Sequence, residues 1–309
     1  MDIHMMGSDQ RIVRCARVSF ALDDTVDVGR DKKLIRYLFD NRHASPFEHV
    51  VVAYRASKRE WLKLIEGVGN PTFQAYYSGG YVWLNLRNLI NAMDSIGREI
   101  KGFIKDKLPA VWSVISGEPT EGYSVDKAFL LERFRTSSGW VGLVDKLELD
   151  SEMDYYTFVV ECPLFVARQW FRHRFGSYNE VSRRYVGFEP SFYIPEHLRK
   201  QAKKNRQASE DESIEEPFNS IFLERIKNYT HELKALYAEM IEKNVAKEIA
   251  RGILPQFMLT RFYWTVPRVS LDNFIRLRTH EGAQKEIREF AKAIDELVGY
   301  RETDKMIRL

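Results

Sequence analysis

Residues 154–174 constrain the fold more than any other stretch. DYYTFVVE has the aromatic and β-branched make-up of a strand, and Cys162 and Pro163 follow it directly. Proline is accepted at the first helical position, so PLFVARQWFRHR (163–174) reads as a helix that starts where the strand stops. A strand feeding a helix through one proline is a rigid junction, and the chain's densest group of polar side chains follows it.

The rest of the chain supports an alternation of helices and strands. RIVRCARVSF (11–20) reads as a strand or short helix. Residues 29–42 carry Leu34, Ile35, Leu38 and Phe39 at helical spacing. HASPFEHVVVAYRA (43–56) starts as a turn and becomes a strand from about Phe47. Gly79 and Gly80 form a turn signal, and YVWLNLRNLINAM after them reads as helical. Residues 116–124 read as a loop, as does the stretch after Arg174, and 196–216 reads as a charged, solvated excursion. A long amphipathic helix is expected over 217–244, KEIARGILP ends at Pro255, and FMLTRFYWTV reads as a strand. VSLDNFIRLR and AQKEIREFAKAIDELV read as two further helices.

Composition bounds the functional classes. The 309 residues carry 47 Lys+Arg against 44 Asp+Glu, so 47 − 44 = +3, with no basic stripe. That argues against an Arg/aromatic nucleic-acid-binding protein. No run approaches 18 apolar residues and the start is unlike a signal peptide, so a cytoplasmic protein without membrane contact is expected. Cys15 and Cys162 have no metal or redox spacing and read as buried packing thiols. No HExxH or GxGxxG spacing occurs, so neither a metal site nor a dinucleotide-binding Rossmann unit is expected.

The chemistry concentrates in Arg168, Gln169, Arg172, His173, Arg174, Asn179, Glu180, Ser182, Arg183 and Arg184. Guanidinium groups pair bidentately with phosphate and stay protonated, so several arginines around one carboxylate suit a phosphorylated nucleotide. On charge alone, a surface arginine cluster fits equally well.

The order of these residues adds more. RHR, seven residues, then Ser182 resembles the signature of the flavin-dependent thymidylate synthases. RCARVSF, HASPFEH, PLFVARQWFRHR, SYNEVSRRY, FYIP, ILP, TRFYWTV and QKEIR resemble family segments in family order. The resemblance implies an α+β, thymidylate-synthase-complementing-protein-like fold, with a mixed sheet and long helices, in a homotetramer with shared active sites. It implies FAD as cofactor and dUMP as substrate. Methylenetetrahydrofolate would be the carbon donor and NADPH the reductant of the flavin. By motif position it assigns dUMP to Gln169, Arg172, Glu180, Val181, Ser182, Arg183, Arg184, Arg261 and Arg288. It assigns FAD to Ser19, Ser45, Arg172, His173, Arg174, Glu180, Arg276 and Arg278. The catalytic candidates are Arg288, Ser182, Arg184 and His43, with His43 near folate and flavin. Arg288 or Arg184 would stabilise charge developing on the uracil ring, and Ser182, lacking an evident base, would act as a hydrogen-bond donor.

Four features depart from the pattern. Arg183 replaces a small residue and Arg276 an Asn. Gly282 stands where the family has a His, with His280 two residues earlier. Residues 56–153 are extra, so the expected organisation is one domain over 1–309, with core 1–55 and 154–309 interrupted by an inserted subdomain. The insertion carries no flavin or dUMP motif and is expected to form a peripheral layer. Trp83, Arg87, Ile90 and Met93 match Trp264, Arg268, Leu271 and Phe274 at an offset of 181, as a repeat or a shared amphipathic pattern. These departures keep open a family member with altered activity.

Overall fold

The computed structural model describes residues 1–20, 26–184, 189–202 and 209–299. In chain order, β1 (Ile3–Met6) and α1 (Asp9–Arg17) precede α2 (Val28–Asp40) and β2 (Val51–Arg55). Next come α3 (Lys58–Val68), β3 (Tyr76–Ser78), β4 (Tyr81–Asn85), α4 (Leu86–Asn91), α5 (Arg98–Lys107) and α6 (Pro109–Ser116). Then follow β5 (Glu132–Thr136), β6 (Gly139–Leu147), β7 (Tyr155–Pro163), α7 (Leu164–Trp170) and β8 (Ser177–Glu180). The chain continues with β9 (Arg199–Gln201), β10 (Ser209–Ser213), α8 (Phe218–Glu242) and α9 (Lys247–Ala250). It closes with β11 (Leu259–Pro267), α10 (Arg268–Arg278) and α11 (Lys285–Val298).

The class is α+β. One sheet has four strands in the order β1-β2-β4-β3, and a second has five in the order β5-β6-β7-β11-β8. Among the described residues every pairing in these sheets is antiparallel, which corrects the expected mixed sheet.

The two-residue period of the strands sorts side chains into layers. Val52, Tyr54, Val82 and Leu84 face a core shared with α1, α2 and the insertion helices. The alternate residues Val51, Ala53, Tyr81 and Trp83 pack instead on Leu147 and Tyr155 of the second sheet and on Met153 in the turn between their strands. That sheet's far face, with Phe158, Val160, Phe262 and Trp264, is covered by α7, α10 and α11. The result is helices, sheet, sheet, helices.

Several sequence expectations are revised. Residues 81–85 form a strand, and helix begins only at Leu86. The second strand starts at Val51, after a 3-10 turn over Ser45–His49. SYNE is a strand rather than loop, and 196–216 contains β9 and β10. Residues 203–208 of that excursion, and 185–188 of the loop after SYNEVSRR, lie outside the described residues. The matched spacing at offset 181 marks two strand-to-helix junctions, β4 into α4 and β11 into α10.

The insertion is not peripheral. β4 sits inside the first sheet beside β2, and β6 sits beside β7 in the second. Charge pairing binds it further. Arg11 of α1 is 1% exposed and donates to Asp126 at 3.0 Å and to Asp145 at 3.2 Å. Arg14 reaches the same Asp126 at 2.9 Å. Asp9 caps α6, accepting from Val111 N at 3.1 Å and Ala110 N at 3.3 Å. A carboxylate there satisfies orphan N–H groups and meets the positive end of the helix dipole.

Arg11→Met should therefore leave buried Asp126 with one guanidinium where it now has two. The expected loss is about 3–5 kcal/mol of unfolding free energy, read from urea denaturation. A loss under about 1 kcal/mol would show that Arg14 alone holds Asp126.

Candidate active site

The junction at Pro163 behaves as its sequence requires: Pro163 ends β7 and α7 starts at Leu164. The helix is shorter than expected and stops at Trp170. Arg172, His173 and Arg174 therefore lie in the turn after it and not in its last turn. Bulky Trp170 locks the end, packed on Phe274 with ring centroids 4.7 Å apart.

Around this turn, Arg278 of α10 acts as a clamp. Its Nε donates to His173 Nε2 at 3.1 Å, and its Nη2 donates to the Gln169 carbonyl at 3.0 Å. Burial, followed by the Arg278 charge, pushes the His173 pKa down to about 4, so the ring is neutral and Nε2 accepts. Gln169 donates to Gln284 Oε1 at 2.6 Å, tying α7 to the start of α11. Arg172 and Arg174 point outward and are exposed.

A second group forms around β8. Ser19 Oγ donates to the Glu180 carbonyl at 3.2 Å, and Ser182 N donates to the Ser19 carbonyl at 3.0 Å. Glu180 accepts from Thr260 Oγ1 at 2.6 Å. Burial raises the pKa of its carboxyl, opposed by the Thr260 hydrogen bond and the charges of Arg251 and Arg168. A cavity of about 320 Å³ opens here, lined by Arg168, Glu180, Val181, Arg183 and Arg251 among others. Arg183 is buried and Arg184 exposed, its Nε 3.6 Å from Glu248. Ser182 Oγ accepts from Arg184 N at 3.4 Å, and among the described residues no histidine or carboxylate is hydrogen-bonded to it.

The turn before β2 supplies the third group. Buried His49 lies 2.8 Å from Thr265 Oγ1 through Nδ1 and 3.1 Å from the Asn179 amide through Nε2. With its nitrogen turned inward, that amide also donates to the Ser45 carbonyl at 3.3 Å. Burial pushes the His49 pKa down to about 3. His43 and Ser45 are exposed on this turn, with the His43 ring edge-on to Tyr37 at 5.8 Å.

The third group and the turn after α7 share one cleft. Glu48, Arg174, Phe175 and Ser177 line a space of about 530 Å³ together with Gln74, Tyr76 and Arg87 of the insertion. Tyr76 and Phe175 meet across it, 5.1 Å between centroids, and Arg87 Nη1 donates to Glu48 at 2.6 Å.

Three candidates stand apart within the chain. Arg261 is on the opposite face of β11 from Thr260, held by Glu161 at 2.7 Å and over Trp140. Arg276 donates to Asn273 at 2.8 Å on the exposed side of α10. Arg288 donates to the Glu281 carbonyl at 3.1 Å, in a space of about 550 Å³ that it shares with His280, Gly282 and 209–212. Sequence reasoning gives no role to Thr260, Arg251, Glu48, Arg87 or His49. The run HASPFEH contains two of these five, but burial of His49 is legible only once β8 is known to be a strand.

A sequence model of the family described as thymidylate synthase complementing protein matches residues 3–58 and 150–300. The chain is 62% identical over 314 positions to the flavin-dependent thymidylate synthase of Aquifex aeolicus, spanning 99% of this chain and 98% of that protein. That alignment runs through 56–153. A flavin-dependent thymidylate synthase of Thermus thermophilus is 45% identical over 150 residues, 48% of this chain and 54% of that protein. Among solved structures, a UMP/dUMP methylase from Streptomyces cacaoi, bound with 5-Br UMP, aligns at a TM-score of 0.42 and 19% identity. The alignment covers 96% of this chain and 89% of that one.

The two buried imidazoles set a pH dependence. Unfolded histidine titrates near 6.5, while His49 stays neutral to about 3 and His173 to about 4. The unfolded state thus binds more protons below pH 6.5, and stability is lost as pH falls from there. Each group contributes up to about 1.4 kcal/mol per pH unit. His49→Gln should flatten that slope between pH 6 and 4 in denaturation curves. An unchanged slope would mean His49 titrates normally.

Proposed function

The chain belongs to the thymidylate synthase complementing protein family, the flavin-dependent thymidylate synthases, and on that premise we propose how its residues serve the reaction. It is a methyltransferase that converts dUMP to dTMP. We assign the carbon to methylenetetrahydrofolate, the flavin to FAD and its reductant to NADPH.

The cradle around Glu180 carries this reading. Arg168, Arg183 and Arg251 line a cavity with one half-buried carboxyl and one hydroxyl, on Glu180 and Thr260. Guanidinium groups neutralise a nucleotide phosphate, and the carboxyl and hydroxyl meet sugar hydroxyls or base N–H groups. Val181 lines the same cavity, and we assign the nucleotide also to Ser182 and Arg184, which follow it in sequence, to Gln169 of α7 and to Arg172 in the turn after that helix. Ser182 donates a hydrogen bond rather than attacking.

Neither thiol supplies a nucleophile. Cys15 and Cys162 are buried, and burial with the charges of Glu180 and Glu161 pushes the Cys162 thiol well up. Thiolate is the reactive form, so activation of uracil falls to electrostatics. We assign the cation for charge developing at the ring to Arg288 or Arg184.

The turn after α7 suits a flavin dinucleotide. Arg172 and Arg174 are exposed and, among the described residues, not ion-paired, so both can take a pyrophosphate. His173, held neutral by burial and by the Arg278 charge, presents a donor or an apolar face without adding charge. Ser19, Ser45, Glu180 and Arg276 complete the expected contacts. When bound, the flavin supplies the hydride. His43 is exposed on the adjacent turn, edge-on to Tyr37, and we assign it to folate. Arg261 faces away from its own chain's Glu180, which suits a homotetramer whose sites are shared between neighbours.

The reading is tested by tritium release from dUMP labelled at C5, with FAD, methylenetetrahydrofolate and NADPH. Release that depends on NADPH is expected, and a sample that takes up no flavin after incubation and desalting would overturn it. Cys15→Ala with Cys162→Ala should retain dTMP synthesis. Its abolition in a folded, flavin-bound double variant would establish a thiol nucleophile.

A further inference from the structure

We propose that the insertion builds a second compartment next to the catalytic cleft, and that it takes the aryl-carboxylate tail of the folate co-substrate. This rests on the reading of the chain as a folate-using enzyme. The compartment is a cavity of about 740 Å³ between the end of α2, the turn before β2, and α4. Thr72 and Arg87 line both this cavity and the cleft that holds Arg174, so the two spaces meet at Arg87.

Its walls divide by chemistry. Leu38, Phe39, Phe47 and Ile90 give an apolar slot suited to a flat ring. Arg42 and Arg87 supply two guanidinium groups against one carboxylate, Asp40, with Asn70 and Asn91 as neutral donors. A ring carrying carboxylates matches that set, because each guanidinium can take a carboxylate in two parallel hydrogen bonds. Arg87 is half-exposed, and its contact with Glu48 uses one of its five donors.

Arg42 adds an independent observation. Its φ is +57°, the left-handed conformation that glycine adopts without penalty at the residue after a helix cap. Arginine there costs backbone energy, and such strain collects at functional sites. Arg42 and Ala44, both lining the cavity, flank His43 in sequence. The compartment therefore lies beside the turn that carries His43.

The test uses the full chain and 4-aminobenzoyl-glutamate as probe, followed by titration calorimetry. Saturable binding is expected, weakened about tenfold or more by Arg87→Ala and by Arg42→Gly, the loss of one charge-assisted contact. Arg42→Gly suits the local backbone, so a folding defect cannot mimic the result. No saturable binding to the unaltered chain, or equal binding by both variants, would overturn the assignment. Binding intact in a chain that takes up no flavin would uphold the ligand chemistry and overturn its assignment to folate.

Discussion

A short chain of buried hydrogen bonds sets the geometry on which the site depends. Thr157 and Thr265 hydroxyls meet at 2.8 Å, Thr265 meets His49 at 2.8 Å, and His49 meets Asn179 at 3.1 Å. All four residues are buried. Polar groups removed from water must find partners or cost about 1–3 kcal/mol each, so these side chains have one acceptable arrangement. That arrangement joins β7, β11, β8 and the turn before β2. It brings Glu48 and the segment from Arg174 to Ser177 to opposite sides of one cleft.

The second constraint is electrostatic and draws the insertion into the fold. Asp9, Arg11 and Arg14 sit on one short helix, and their partners, Ala110, Val111, Ser124, Asp126 and Asp145, all lie in 56–153. A separate subdomain would leave that helix with buried, unpaired charge. The same integration allows residues 72–88 to line the cleft, since β3 and β4 continue the sheet that carries β2. An insertion joined by strand pairing has a fixed orientation, which a tethered domain lacks.

Much of this is legible where local pattern and tertiary need agree. The strand at 154–161 and the helix at 217–244 match their sequence patterns to within two residues, because long, strongly patterned segments leave few alternatives. Residues 81–85 read as helix because five mostly apolar residues running into LRNLINAM fit both periods. Only burial on both faces, against the helices and against the second sheet, selects a strand. SYNE escapes sequence reading because a four-residue edge strand of polar residues has no hydrophobic signal; the β11 ladder creates it. The arginine cluster is visible in composition. Its division into an Arg278 clamp, a Glu180 cradle and an outward Arg261 is not, since each depends on which face of a strand or helix a residue occupies.

That last dependence explains why one strand can serve two roles. β11 pairs with β7 over nine residue pairs, from Leu259 opposite Pro163 to Pro267 opposite Tyr155. This register turns Thr260 toward Glu180 and Arg261 toward Glu161. A slip of one residue would exchange them, putting a guanidinium against the Glu180 carboxyl and a hydroxyl on the outer face. An adjacent Arg261 would then favour the charged form of Glu180 and fill part of the cavity beside it. The ladder therefore keeps that cation out of the cradle and leaves Glu180 half-buried, with its pKa raised. Arg261 meanwhile stays half-exposed on the opposite face, paired with Glu161.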